Sequence, residues 1–294
     1  RNILDAVEHL GYVPNSMAKS LKVSSTKTIG LIIPDISNAF PEMAKGAQDE
    51  AFSHGYTMLY GSTDNNYIQE KKFLDALKSK MVDGIIYVSS NAQNSQKLLD
   101  GINTPIVFMD RRIDKTGNMG SVQIDNYSAM KDVAHYISSK GCKKIAYISA
   151  DISQSPSHER YDGFIDGLHE CGISFDKRLH YAGTFSVETG QLGAMTLLQT
   201  SPDIDCIVCG NDLMAIGAIN ICQKLGRNIP DDISIMGFDD IYISKYLNPG
   251  LTTVRQDAYE MGRQAASMLI EYLDEHTPLS DVVLPYQIIE RNTV

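Results

Sequence analysis

The sequence TIGLIIPDI at residues 28–36 is almost entirely apolar and is interrupted by a single proline. Such a run is typical of a β-strand that helices cover on both faces, as in a parallel sheet. It is followed by apolar residues at helical spacing over 41–54 and by a second strand pattern, YTMLYGST, at 56–63. This order of strand, helix and strand predicts an α/β fold.

The same alternation continues to the end of the chain and occurs in two halves. Between helical patterns, further strand patterns lie at 84–90, 105–111, 121–125, 143–150, 179–183, 206–212, 234–240 and 251–256. A helix is predicted at 258–274 and a final apolar segment at 282–291. We therefore predict two doubly wound parallel-sheet lobes with a ligand cleft between them, preceded by a short helical arm.

The 294 residues are enough for two domains, since domains usually hold roughly 100–200 residues. No long linker separates the halves, and the last segments of the chain are expected to complete both of them. We expect an arm at 1–26, an N-terminal lobe at 27–125 that also takes 256–284, and a C-terminal lobe at 126–255 that also takes 285–294.

Charge is unevenly distributed along the chain. With 26 basic and 36 acidic residues the formal net charge is −10, so most of the surface will repel nucleic acid and anionic membranes. Residues 1–27 hold four basic and two acidic side chains, a charge of +2, which leaves −12 for the remainder. The sequence therefore combines a short basic arm with an acidic body.

Three further features favour a cytoplasmic protein. No apolar run approaches the ~20 residues that span a bilayer, and the first residues show no signal-peptide hydrophobic region. The five cysteines are odd in number and lack the spacing of a disulfide framework, so reduced thiols are expected.

Polar and aromatic residues follow many of the predicted strands. Open parallel sheets bind ligands beyond the carboxyl ends of their strands. Carboxylates, amides and guanidinium groups there can bond to the hydroxyls of a small ligand, while aromatic rings stack on its apolar face. The candidate residues are Asp35 to Phe40, Asp110 with Arg111 and Arg112, Asp151 to Arg160, Phe185, Asn211 with Asp212, and Asp239 with Asp240.

Each of these residues also has a structural interpretation. A polar residue after a strand is often a helix N-cap, which would account for Asn211 and Ser186. Phe40 and Phe185 suit the core equally well. An arginine side chain is rarely buried without a partner, so a structural ion pair would explain Arg160.

The sequence lacks the common catalytic motifs. No G-x-G-x-x-G follows a predicted strand, and G-x-x-x-x-G-K-[ST], G-x-S-x-G and H-E-x-x-H are absent. Cys206 and Cys209 come nearest to a metal or redox motif, but residues three apart in a strand point to opposite faces. We expect no enzymatic activity, no cofactor and no metal.

The arm contains two helical patterns. NILDAVEHLG at 2–11 predicts an amphipathic helix that ends at Gly11, and Pro14 separates it from a very short helical pattern, MAKSLK, at 17–22. Because so short a helix is not stable alone, composition by itself favours a mobile tail.

The join LGYVPNSMAKSLKVSSTKTIGLIIPDISNAF resembles the connection between DNA-binding headpiece and regulatory core in the lactose/galactose repressor family of bacterial transcription factors. The resemblance continues in order through VDGIIYVSS, PIVFMDR, GNDLMAIGAI, IPDDISIMGFDD and LTTVRQD. It implies a periplasmic-binding-protein-like fold and a homodimer. It also implies that residues 1–12 are the last headpiece helix, with the helix-turn-helix missing from this sequence.

The resemblance further implies that 15–22 form a hinge helix. In the family, two such helices pair on operator DNA, and a leucine from each inserts into the minor groove. By position this leucine is Leu21, with Asn15, Ala18 and Lys22 beside it. An apolar wedge kinks the duplex and gains contacts, while a lysine neutralises phosphate.

The resemblance places a small-molecule effector in the cleft. The matching positions are Ala39, Phe40, Asp110, Arg160, Phe185, Asn211, Asp239 and Gln256. Ala39 stands where a purine-binding member has an aromatic residue, and 151–159 departs from the ligand loop of that member. Because Arg160, Asn211 and Asp239 keep the pattern of sugar-responsive members, we expect a mono- or disaccharide.

Together these features predict the effector-binding and dimerisation core of a sugar-responsive transcriptional regulator, a repressor that binds operator DNA. Effector binding would move the lobes and thereby separate or join the hinge helices, so the effector could be an inducer or a co-repressor. The main alternative is a periplasmic sugar-binding protein of a transporter, which shares the two-lobed fold but needs no such arm. An enzyme on a similar fold ranks third.

Overall fold

The computed structural model describes residues 25–90, 92–111, 118–152 and 155–294. In this part the chain forms two six-stranded sheets, one in each lobe. Apart from its last two residues, the arm predicted at 1–26 lies outside the described residues.

The N-terminal lobe contains a fully parallel sheet. Its strands are β1 (Thr28–Ile33), β2 (Thr57–Ser62), β3 (Gly84–Tyr87), β4 (Ile106–Met109), β5 (Met119–Ile124) and β11 (Asp281–Leu284). The order across the sheet is β11-β5-β4-β3-β1-β2. The helices that flank it are α1 (Phe40–Ser53), α2 (Tyr67–Ser79), α3 (Ala92–Leu99) and α8 (Ala258–Glu275).

The C-terminal lobe repeats this arrangement. Its strands are β6 (Ile145–Ala150), β7 (His180–Gly183), β8 (Cys206–Cys209), β9 (Ser234–Asp239), β10 (Thr252–Gln256) and β12 (Tyr286–Ile289). The order is β12-β10-β9-β8-β6-β7, with only β12 antiparallel to its neighbour. Its helices are α4 (Asn126–Ser139), α5 (Ser155–Glu170), α6 (Val187–Thr200) and α7 (Asp212–Lys224), with short 3₁₀ helices at Lys177–Leu179 and Tyr242–Tyr246.

The predicted two-lobed α/β fold is confirmed. The strands β3, β4, β6 and β8 are buried along their whole length, as continuous apolar runs require when helices cover both faces of a sheet. One apolar cluster continues through both lobes and includes Ile33, Ile124, Met130 and Val254. No helix among the described residues has both the length and the apolar character needed to cross a bilayer.

The structure divides the apolar segment predicted at 282–291 into two strands, β11 and β12. Pro285 lies between the two strands. Proline has no N–H for a strand ladder, so the chain changes sheets there. β11 extends the N-terminal sheet beside β5, and β12 extends the C-terminal sheet beside β10.

Glycines allow the helices to pack closely in pairs. In the N-terminal lobe, a side chain on Gly46 of α1 would collide with the carbonyl of Tyr259, and one on Gly262 of α8 would collide with that of Met43. In the C-terminal lobe, Gly163, Gly190 and Gly217 make equally close approaches to backbone carbonyls. Backbone therefore touches backbone in each pair.

We predict that Gly262→Ala lowers the free energy of unfolding by about 3 kcal/mol, because the new methyl group meets immovable backbone of α1. The control is Gly172→Ala, where the methyl group enters open space and only the positive φ of +72° is unfavourable, at about 1 kcal/mol. Urea unfolding of both variants measures the difference. Equal losses would contradict close packing of α1 against α8.

Candidate functional site

The carboxyl ends of both sheets face a cavity of about 550 Å³ that is lined by residues of both lobes. Both halves of this wall arise where parallel strands end, which is where α/β sheets bind ligands. The lining residues are Asp35, Ser37, Asn38, Ala39, Phe40, Met43, Asp64, Asn65, Asp110, Arg111, Ala150, Asp151, Pro156, Arg160, Gly183, Thr184, Phe185, Ser186, Asp239 and Gln256.

The cavity brings together most of the residues that the sequence singles out for the effector. Those in its wall are Ala39, Phe40, Asp110, Arg160, Phe185, Asp239 and Gln256. Asn211 is not in the wall. Its side-chain oxygen accepts a hydrogen bond from the Met214 amide (3.0 Å) and so caps α7, which is the structural role that the sequence also allows.

Asp239 occupies the centre of the site. Its Oδ2 accepts a hydrogen bond from Asn38 Nδ2 in the opposite lobe (2.5 Å), and its Oδ1 accepts one from Gln256 Nε2 (2.7 Å). Oδ1 also lies 3.6 Å from a terminal nitrogen of Arg160. Burial raises the pKa of Asp239 to about 6, although Arg160 and these hydrogen bonds oppose the rise. The residue holds a φ of +105°, a strained conformation of the kind found at functional sites.

Arg160 forms the structural ion pair considered for it and also lies in the cavity wall. The guanidinium is buried and donates from Nε to Asn126 Oδ1 (2.8 Å) and from a terminal nitrogen to the Gly210 carbonyl (2.7 Å). It lies over the ring of Phe238, 3.6 Å from the ring centre. The ion pair with Asp239 is thus held rigidly in the cavity wall.

Two aromatic side chains face the cavity from opposite lobes. Phe40 is almost fully buried at the start of α1, and Phe185 is half-buried after β7. Each also packs against an apolar cluster, so the core interpretation is confirmed, and contact with a ligand stays a prediction. The guanidinium of Arg111 lies 5.8 Å from the Phe40 ring centre.

The paired carboxylates Asp239 and Asp240 have different surroundings. Asp240 forms ion pairs with Arg255 (2.7 Å) and Arg291 (2.5 Å) and does not line the cavity. Asp212 is fully buried and does not line the cavity, and the Ile241 amide and the hydroxyls of Ser244 and Thr253 donate to it. Burial raises the pKa of Asp212 to about 7 against these three hydrogen bonds.

The cysteine pair is part of the core. Cys206 belongs to the apolar cluster on one face of the C-terminal sheet and Cys209 to the cluster on the other, as their spacing predicts. Within the described residues no three histidine, cysteine or carboxylate side chains are grouped so that they could hold a metal ion.

Sequence reasoning missed the polar residues after β2. Asp64 and Asn65 line the cavity although no strand-end candidate was assigned there. The available signal was the run Asp-Asn-Asn directly after the second strand pattern. Asn38 and Arg111 lay within the candidate stretches, but nothing in the sequence marked them as more important than their neighbours.

Comparison with known proteins identifies the family of the chain. A family model described as periplasmic binding proteins and sugar binding domain of LacI family matches residues 26–290. The chain belongs to the LacI family. This confirms the resemblance that the sequence motifs indicate.

The LacI-family relatives match along the whole chain. It is 36% identical to the HTH-type transcriptional regulator RegA of Clostridium saccharobutylicum, over 100% of this chain and 89% of that protein. It is 34% identical to the ribose operon repressor of Halalkalibacterium halodurans, over 99% of this chain and 86% of that protein. The matches include the arm, so the chain is the effector-binding core of a LacI-family transcriptional regulator, and the transporter alternative is not supported.

A solved structure shows the same fold with a ligand. The periplasmic binding protein/LacI transcriptional regulator from Alkaliphilus metalliredigens QYMF, complexed with D-xylulofuranose, has a TM-score of 0.79 and 28% identity, covering 91% of this chain and 98% of that one. The residues predicted for operator contact in this LacI-family chain, Asn15, Ala18, Leu21 and Lys22, lie outside the described residues.

The buried carboxyl of Asp212 predicts a pH dependence of stability. Its folded-state pKa of about 7 lies above the ordinary value of about 3.9, so the folded protein keeps a proton that the unfolded chain releases. The stabilisation is present below about pH 4 and is lost as the pH rises to about 7. The raised pKa of Asp239 has the same effect, so the free energy of unfolding also falls through this residue as the pH rises to about 6.

We predict that Asp212→Asn reduces the loss of unfolding free energy between pH 5.0 and 7.5 by on the order of 2 kcal/mol, because an amide does not titrate in this range. Urea unfolding at the two pH values measures the loss in each protein. The control is Asp231→Asn at an exposed position. A pH dependence unchanged from the parent protein would show that Asp212 is ionised when folded.

Proposed function

We propose that the cleft binds a sugar effector and that this binding controls the affinity of the protein for operator DNA. The observation that carries the proposal is the shared wall of the cavity. Asn38 and Phe40 come from one lobe, and Arg160, Phe185 and Asp239 come from the other. A ligand held by both sets favours one relative position of the lobes.

The chemistry of the wall suits a polyhydroxylated ligand. Carboxylates, amides and guanidinium groups converge on a cavity whose volume lies in the range typical of small-molecule sites, about 300–1,000 Å³. Phe40 and Phe185 offer apolar faces for the C–H side of a sugar ring. The sugar bound in the related Alkaliphilus structure supports the same ligand class.

The proposal extends to the segments that join cleft and DNA. The N-terminal lobe would comprise 27–125 with 256–284, and the C-terminal lobe 126–255 with 285–294. The hinge at 15–22 would pair with that of a second copy on operator DNA in the cytoplasm. The protein would act by binding alone, without catalysis, and the effector would change operator affinity by its differential affinity for two lobe arrangements, typically ~1–3 kcal/mol.

Thermal melting against a panel of mono- and disaccharides tests the sugar site. At about 100-fold above its dissociation constant, a bound sugar adds roughly 2.7 kcal/mol and raises the melting temperature by several degrees. Asp239→Ala should abolish the rise, because it removes the acceptor shared by both lobes. The control is Asp203→Ala, which loses only a surface ion pair with Lys144. No rise with any sugar would refute the proposed ligand class.

Operator binding tests the hinge. In a chain that carries the family's helix-turn-helix, Leu21→Ala should weaken operator binding about tenfold or more, since the wedge between base pairs is lost. Lys22→Ala should instead reduce the slope of log affinity against log salt concentration by about one, because one phosphate contact is lost. Fluorescence anisotropy at several salt concentrations separates the two effects. Parent-like operator affinity in Leu21→Ala would remove the hinge from the mechanism.

A further inference from the structure

We propose that the cleft selects an unphosphorylated sugar, whose hydroxyl or amine hydrogens are donated to the side-chain oxygens of Asn38 and Gln256, and that it rejects phosphorylated sugars. This inference rests on the proposed function, because it narrows the ligand class of the same cleft. It follows from how Asp239 orients its neighbours and from the charges that line the cavity.

Asp239 fixes the orientation of two amide groups. An ionised carboxylate only accepts hydrogen bonds, so Asn38 and Gln256 must each turn their NH₂ group towards it, as they do at 2.5 and 2.7 Å. Their oxygen atoms are then directed elsewhere. Both oxygens are buried and have no hydrogen-bond partner within the described residues, although both side chains line the cavity.

These two oxygens require donors from the ligand. Gln256 is only 4% exposed, and a buried acceptor without a partner is costly. A sugar hydroxyl or amine supplies a hydrogen to such an oxygen. A phosphate group mainly offers acceptors and would be repelled by both amide oxygens.

The guanidinium groups in the wall are already engaged. Arg160 bonds to Asn126 and to the Gly210 carbonyl and pairs with Asp239. Arg111 donates from a terminal nitrogen to the Ser89 (2.7 Å) and Ser90 (3.0 Å) carbonyls. Its buried Nε lacks a hydrogen-bond partner in the described part and lies 3.9 Å from an oxygen of Asp110. Arg160 therefore does not present the two-pronged donor set that phosphate recognition uses.

The charge of the wall also opposes a phosphate. The carboxylates that line the cavity are Asp35, Asp64, Asp110, Asp151 and Asp239. Arg111 and Arg160 are the two cationic side chains among the lining residues, and no lysine is among them. A phosphate monoester carries a charge of about −1.5 to −2 at neutral pH, so it would enter a region of like charge.

Helix N-termini at the cleft do not compensate for this. A helix N-terminus can bind an anion through free N–H groups. The first turn of α1 contains Pro41, which has no N–H, and Glu42, which already supplies a negative charge. In α6 the Ser186 hydroxyl accepts from the Thr189 amide, and Glu188 lies in the first turn. α5 also has a proline in its first turn.

Isothermal titration with matched pairs tests the inference on the 294-residue chain. The probes are ribose and ribose 5-phosphate, fructose and fructose 6-phosphate, glucose and glucose 6-phosphate, and trehalose and trehalose 6-phosphate. We expect at least one free sugar to bind, with an affinity more than about tenfold above that of its phosphate ester. A phosphate ester that binds as tightly as its free sugar, or more tightly, overturns the inference and leaves a sugar effector in place. Failure of all eight probes to bind overturns the proposed function as well.

Two variants test the role assigned to Asp239. Asp239→Asn removes the charge that orients the two amides. The ratio of the affinity for the free sugar to the affinity for its phosphate ester should therefore fall about tenfold. The control is Asp231→Asn, which removes the same charge at an exposed position outside the cavity wall and should change the preference less than about threefold.

Gln256→Met gives a second test if Asp239→Asn does not fold, as judged by circular dichroism. It replaces one free acceptor by an apolar group of similar size. The affinity for the free sugar should therefore fall about tenfold, and the affinity for the phosphate ester should not rise. An unchanged preference in Asp239→Asn, or an unchanged affinity for the free sugar in Gln256→Met, would refute the assignment of these amide oxygens to the ligand.

Discussion

The buried carboxylate of Asp239 is the constraint on which the cleft depends. A charge removed from water must be paired and hydrogen-bonded, and each group that meets this need here is itself held in place. Arg160 is held by Asn126 and the Gly210 carbonyl, and Gln256 is the last residue of β10. Asn38 reaches across from the other lobe. The same contacts that make the buried charge tolerable therefore also join the lobes and fix which atoms face the cavity.

The repeated topology explains why carboxylates face each other across the cleft. β4 and β9 occupy equivalent places in the two sheets, since each is the second strand on the same side of β1 or β6. Each is followed or ended by an aspartate with positive φ, Asp110 at +62° and Asp239 at +105°. Because the strands are parallel, these residues lie at the carboxyl edge of the sheet in each lobe. The two edges together then form a wall that neither lobe could provide alone.

The sequence predicts those parts of the structure that depend on short stretches of chain. Buried strands are visible in the sequence as apolar runs. The residues after them line the cavity because the direction of a strand determines the edge of the sheet at which it ends. What it could not predict depends on distant partners or on local dihedral angles. The Asn38–Asp239 bond joins residues 201 positions apart. The different surroundings of Asp239 and Asp240 likewise depend on partners that strand and helix patterns do not express, since Asp240 pairs with Arg255 and Arg291.

A single helix connects the cleft with the base of the arm. α8 begins directly after Gln256, where Asp257 caps it, and its 18 residues extend about 27 Å. Near its other end Asp274 accepts from Lys27 Nζ (2.7 Å), at the start of the described chain. Because Gly46 and Gly262 bring the backbones of α1 and α8 into contact, α8 cannot slide independently of α1, whose first residue, Phe40, also lines the cavity. A ligand that repositions Gln256 or Phe40 must therefore move the same rigid helix pair that holds the base of the arm.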